Sequence, residues 1–147
     1  MDKRLNDMAK KIMRNRGLKV ALNSPLNELS KLSYENAVNK GFHDDGINNL
    51  PTMLMHVVGE LGEALEADRT ERYMPKDAIV EYNKITDESS NQLFFKTNIK
   101  DTFEDEISDC FIRLFDLCGK MCIDIDFNVK AKMKYNTSRP RLHGKKY

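Results

Sequence analysis

The segment LPTMLMHVVGELGEALEADRTER, residues 50–72, constrains the fold more than any other stretch, because its apolar residues recur at helical and not at strand period. At about 100° per residue, Leu54, Val58, Leu61 and Leu65 fall in one narrow stripe, widened on one side by Met53, Val57 and Ala64. A second segment, about Asp101 to Met121, repeats the pattern with Phe103, Ile107, Cys110, Phe111, Leu114 and Cys118. Local signals bound two further helices. Ser24 and Pro25 can start one that stops at Gly41, and Asp124 or Asp126 can cap one through FNVKAKMKYNTS, which Pro140 ends. No sustained alternating strand pattern and no internal repeat appear. The expected class is therefore all-α, a bundle of four to five helices.

The rest of the chain divides around these helices. Residues 1–20 read as a basic N-terminal arm, 72–96 as a connector with room for a short extended hairpin, and 137–147 as a basic, turn-forming tail. At 147 residues the simplest organisation is one domain spanning 1–147. A net charge of +1 gives no bulk argument for a nucleic-acid or membrane partner. No apolar run reaches a membrane span and the N-terminus is too charged for a secretory segment, so a cytoplasmic protein is expected. Cys110, Cys118 and Cys122 lack CxxC spacing and lie in an apolar stretch, which suits reduced, buried thiols. Met55, Ile112 and Phe115 extend beyond a single core-facing stripe, which predicts self-association, a dimer first and a tetramer second.

The acids are the unusual feature of the two long helices. Glu60 lies roughly 130° from the centre of its stripe and Glu63 about 170°; Glu106 and Asp109 lie on the same rotational side of theirs, at roughly 100° and 160°. In an antiparallel face-to-face pair, borders of one hand are neighbours, so the ExxE and ExxD pairs are expected to converge. Converging carboxylates repel and raise one another's pKa unless a cation lies between them. Oxygen-only donors suit Mg²⁺ or Mn²⁺, and the absence of an ExxH pair argues against a di-iron pattern. Mg²⁺ commonly completes its shell with substrate phosphates, which points to a phosphate-bearing substrate. Either pair alone is commonplace on a solvated face; the matched placement of two pairs gives the pattern its weight. Gly59 and Gly62 cost about 1 kcal/mol each within a helix, and close approach by a helix or ligand is the expected compensation.

The strings GELGEALEADR, EDEISDCFIRLFDL and KMKYNTSRPRLHGKKY, in that order, resemble the MazG-like, all-α nucleoside triphosphate pyrophosphohydrolases, especially short phage and bacterial members. The resemblance covers roughly residues 26–147, excluding 72–96. It implies a MazG-like bundle completed by homo-oligomerisation, and cleavage of a nucleoside triphosphate between the α- and β-phosphates to the monophosphate and pyrophosphate. It also implies Mg²⁺ ligands, and hence catalytic residues, at Glu60, Glu63, Glu106 and Asp109, and substrate contacts from Lys132, Asn136 and Arg139, which share one helix face at i, i+4 and i+7. Lys145, with His143 and Lys146, forms a cationic tail that either closes over phosphates or is a solvated terminus. The sequence departs from relatives that hold the base with tryptophans and a histidine: it has no Trp and no His immediately before Pro51. Phe42, His43, Asn48, Asn49 or Tyr73 could line a base pocket, or be loop residues and core anchors. His56 could orient Glu60 or be a satisfied interhelical histidine, and Arg113 could screen the acids, contact phosphate or form a surface ion pair. Two alternatives stay open. One is a non-catalytic helical interaction or regulatory module with a basic tail, and the other a metal-binding protein without hydrolase activity.

Overall fold

The structure is a computed structural model that describes residues 24–44 and 49–144, apart from the His143 side chain; the basic arm and the last three residues lie outside them. Every regular element among the described residues is helical. The order is α1 (Pro25–Asn39), α2 (Leu50–Arg69), α3 (Ala78–Tyr82), α4 (Glu88–Asn98), α5 (Phe103–Lys120) and α6 (Ile125–Thr137), with a final 3₁₀ turn at Arg141–Gly144. The ends follow local chemistry. Ser24 accepts from the Asn27 N–H with Pro25 opening α1, Asn49 caps α2 through the Thr52 N–H, and Asp124 caps α6 through the Phe127 N–H. Gly41, at φ 80°, takes the left-handed conformation that ends α1. No described helix is long and apolar enough to cross a membrane.

The connector reading of residues 72–96 requires correction. The segment contains α3 and most of α4, and no extended hairpin. Asp87 caps α4 by accepting from the Ser90 N–H, and the Tyr82 and Phe94 rings stand 6.1 Å apart. The polar Ser/Asn cluster that suggested a loop is the first turn of a helix, where short side chains compete least with backbone bonding.

The described residues form two compact units, one of 24–43 together with 115–144, the other within 44–114. In the first, α1 packs on α6 and on the end of α5. Asn27, buried, donates to Asp124 Oδ1 at 2.9 Å and accepts from the Asp126 N–H at 3.3 Å, tying the start of α6 to α1. Ser30 Oγ donates to the Phe115 carbonyl at 2.9 Å. A Cβ on Gly119 would stand 2.5 Å from Tyr34 Cβ and 2.7 Å from the Ser30 carbonyl, so only glycine allows this approach. His43 and Asp116 meet at 2.7 Å, and the Tyr34 ring lies 5.0 Å from that of His43. Burial pushes the Tyr34 hydroxyl's pKa up, and the neighbouring Asp116 adds to this.

The second unit holds α2, α3, α4 and the first three turns of α5. Its loop after α2 is stitched to α5 by the Phe103 N–H donating to the Arg72 carbonyl at 2.8 Å and the Met74 N–H to Glu104 Oε2 at 2.8 Å. The predicted stripe of α2 is buried only on its widened side, at Met53 and Ala64, and not along its leucines. Leu54, Val58, Leu61 and Leu65 are 46–60% exposed, whereas Met53, Ala64 and Ala67 are buried, with Glu60 among them. On α5, Phe111 and Leu114 are likewise exposed while Cys110 is buried. Apart from Met53, the buried apolar side chains of this unit are small, and much of the large apolar surface of α2 lies outside its core. All three cysteines are free and buried, as expected for reduced thiols.

Candidate metal centre

At about 100° per residue, Met53, Val57, Glu60, Ala64 and Ala67 fall within an arc of roughly 80°. Glu60 therefore sits in the middle of the packed face of α2, and not on the border of an apolar stripe. On α5, Glu106, Cys110 and Arg113 share an arc of roughly 60°, with Asp109 beside it. The two faces meet where Cys110 Sγ lies 3.9 Å from the Val57 carbonyl. Glu60 and Glu106 are consequently only 7% and 5% exposed. A carboxylate in that position costs several kcal/mol, on the order of a buried ion's penalty, unless a cation or a proton neutralises it.

One oxygen from each of Glu60, Glu106 and Asp109 lies within 4.8 Å of the others. Burial holds the pKa of Glu106 above the usual carboxylate range, and the charges of Glu63, Asp105, Asp109 and Glu60 push it further. Asp109 is raised in the same way, by burial first and then by Asp105 and Glu60, with Arg113 opposing. Burial and the Glu60 charge also raise the Cys110 thiol. The converging donors are carboxylate oxygens, a set that fits a hard divalent cation such as Mg²⁺ or Mn²⁺.

Glu63 is exposed and stands outside the converging three, but its charge is second only to burial in raising Glu106. Two acids not singled out from the sequence join the cluster. Asp101 and Asp105 bring oxygens within 4.8 Å of one another and of Glu106. Asp101 has φ 61°, and its N–H donates to Asp105 Oδ2 at 2.9 Å. The acidic run at the start of α5 was their signal, since a helix N-terminus favours acids. Arg113 is no surface pair: its Nε and Nη2 lie 2.9 and 2.8 Å from Glu60 Oε1. His56 is exposed, and the group that meets Glu60 is Arg113.

The other candidates are scattered. Lys132 and Asn136 lie on α6, which has no buried residue, whereas Arg139 lies beyond the helix end at Thr137, so the three do not share one helix face as expected; Lys132 Nζ and Arg139 Cζ stand 5.3 and 5.8 Å from the Tyr135 ring centroid. These residues belong to the first unit and the acids to the second. Lys145, Lys146, Asn48 and the His143 side chain lie outside the described residues. Phe42 is exposed, His43 is a buried partner of Asp116, and Asn49 is the cap of α2. Tyr73 donates its hydroxyl to Asp68 and rests its ring 5.8 Å from that of Phe103. Comparison of the chain with protein-family models, with curated proteins and with solved structures finds no match.

Proposed function

We propose that the chain is a MazG-like, Mg²⁺-dependent nucleotide pyrophosphohydrolase, cytoplasmic and homo-oligomeric, that cleaves non-canonical or surplus (d)NTPs to (d)NMP and pyrophosphate. The observation that carries this reading is the convergence of Glu60, Glu106 and Asp109 where α2 and α5 pack, with two of the three acids buried and a single guanidinium, on Glu60, to offset them. Those three hold the divalent cation, with Mn²⁺ as an alternative to Mg²⁺ and Glu63 at the exposed rim. The bound ion supplies charge neutralisation for the phosphate oxygens and acidifies the attacking water. One carboxylate of the cluster accepts that water's proton. Lys132, Asn136, Arg139 and Lys145 are assigned to the triphosphate by the motif order alone, with the two lysines and Arg139 offering charge to its oxygens.

Oligomerisation is part of the same reading. Leu54, Val58, Leu61 and Leu65 form an exposed stripe on α2, and a Cβ on neighbouring Gly59 or Gly62 would meet nothing within 4 Å. The close approach expected at these glycines is thus not made by the described residues of the same chain. A helix of a second copy laid on the leucine stripe buries it, in a dimer or a tetramer.

The test is a panel of canonical and modified (d)NTPs with Mg²⁺, resolving monophosphate, pyrophosphate and orthophosphate. Monophosphate with pyrophosphate is the expected outcome; orthophosphate alone, or no turnover across the panel, refutes the enzyme class. A second reading, a non-catalytic helical interaction module, draws on the basic helix α6, which has no buried residue. It predicts no metal binding and a Glu60→Ala protein that behaves like wild type.

A further inference from the structure

Arg113 holds Glu60 through two nitrogens of its guanidinium. Nε and Nη2 lie 2.9 and 2.8 Å from Glu60 Oε1. The Glu60 side chain is 9% exposed and that of Arg113 is 39% exposed. One partner is fixed in the packed face, and the other reaches it from solvent. Its positive charge is permanent at any working pH. That charge also favours the ionised form of Asp109, so the guanidinium acts on two of the three converging acids.

The consequence is thermodynamic. A group that stabilises the metal-free protein more than the metal-bound one lowers metal affinity by the same free energy. Glu60 is buried beside two other acids, so the metal-free state relies on Arg113 for charge compensation. A divalent cation held by Glu60 meets a like-charged guanidinium on the same carboxylate, and must either tolerate it or displace it. Both routes cost binding free energy.

Resting on the reading of the acidic trio as a divalent-cation site, we propose that Arg113 is the built-in counter-ion of this centre, stabilising the metal-free fold at the expense of metal affinity. The competing role, a brace that positions Glu60 for the metal, predicts the opposite sign. A brace strengthens metal binding and a counter-ion weakens it.

The experiment uses the full chain and the variants Arg113→Met, which keeps the stem, and Arg113→Lys, which keeps a charge but not the two-donor contact. Mn²⁺ and Mg²⁺ are titrated calorimetrically, and thermal unfolding is followed in EDTA and in saturating Mn²⁺. Arg113→Met should unfold at a lower temperature in EDTA, bind Mn²⁺ roughly tenfold tighter, about 1.4 kcal/mol, and gain more from Mn²⁺ than wild type does. Arg113→Lys should bind with an affinity between the two, and carries the test if the methionine variant does not fold without metal. Affinity at or below that of wild type in either variant, with wild type binding normally, overturns the counter-ion role and leaves the metal site standing. If neither wild type nor variants bind Mn²⁺ or Mg²⁺, the metal site itself is refuted and the proposal with it.

Discussion

Glu106→Gln removes a charge from a packed helix face while nearly preserving shape, and the metal-free protein should become more stable for it. The converging oxygens of Glu60, Glu106 and Asp109 lie within 4.8 Å, where two like charges repel by about 0.9 kcal/mol at a water-like dielectric and about 3.5 kcal/mol at an effective value near 20. Arg113 offsets part of this through Glu60, so the expected net gain is about 1–3 kcal/mol at pH 8. The pH dependence has a definite sign. Glu106 and Asp109 have folded pKa values above their ordinary 4.5 and 3.8, so between the ordinary and raised values the folded protein binds more protons than the unfolded chain. Stability from these groups is therefore greatest at and below the ordinary range and is lost as pH rises through the raised values. Urea unfolding in EDTA from pH 4.5 to pH 8 should show the two proteins nearly equal at the acid end and Glu106→Gln ahead at the alkaline end. A variant less stable than wild type at pH 8, or a gap that narrows as pH rises, refutes the repulsion argument.

Further perturbations test the packing and the assembly. Gly119→Ala, despite a helix-propensity gain of about 1 kcal/mol, should destabilise by about 1–3 kcal/mol because the new Cβ meets the Ser30 carbonyl and Tyr34 Cβ; unchanged urea stability counts against the close approach. Asp116→Ala should cost about 1–3 kcal/mol by stranding the buried His43 Nε2, and a smaller loss on thermal unfolding would mean the pair is dispensable. Leu61→Lys, on the exposed stripe, should reduce the assembled species to monomer in light scattering while helical content stays constant; an unchanged mass places the contact elsewhere.

Helix ends were legible because capping is local: Ser24 with Pro25, Gly41 and Asp124 mark boundaries within a residue or two of those observed. The buried face of α2 was legible only in part, at Met53, Val57 and Ala64. A wheel ranks faces by hydrophobicity, and the leucine stripe outranks one built from Met53, Val57, Ala64 and Ala67 around an acid. That ranking fails when the stronger apolar face stays exposed. Convergence of Glu60, Glu106 and Asp109 was thus expected from stripe borders, whereas the acids meet because Glu60 and Glu106 occupy the packed faces themselves. The helix α4 was hidden by its Ser/Asn composition, and Asp101 with Asp105 by attention to ExxD spacing. Tertiary contacts such as Arg113 on Glu60 offer no fixed spacing to read, being separated by 53 positions.

The most direct measurement is anomalous diffraction from a crystal of the full chain soaked in Mn²⁺. The expected result is an ion coordinated by oxygens of Glu60, Glu106 and Asp109. A fully soaked crystal with no ion there, and the three carboxylates and Arg113 unmoved, would contradict it.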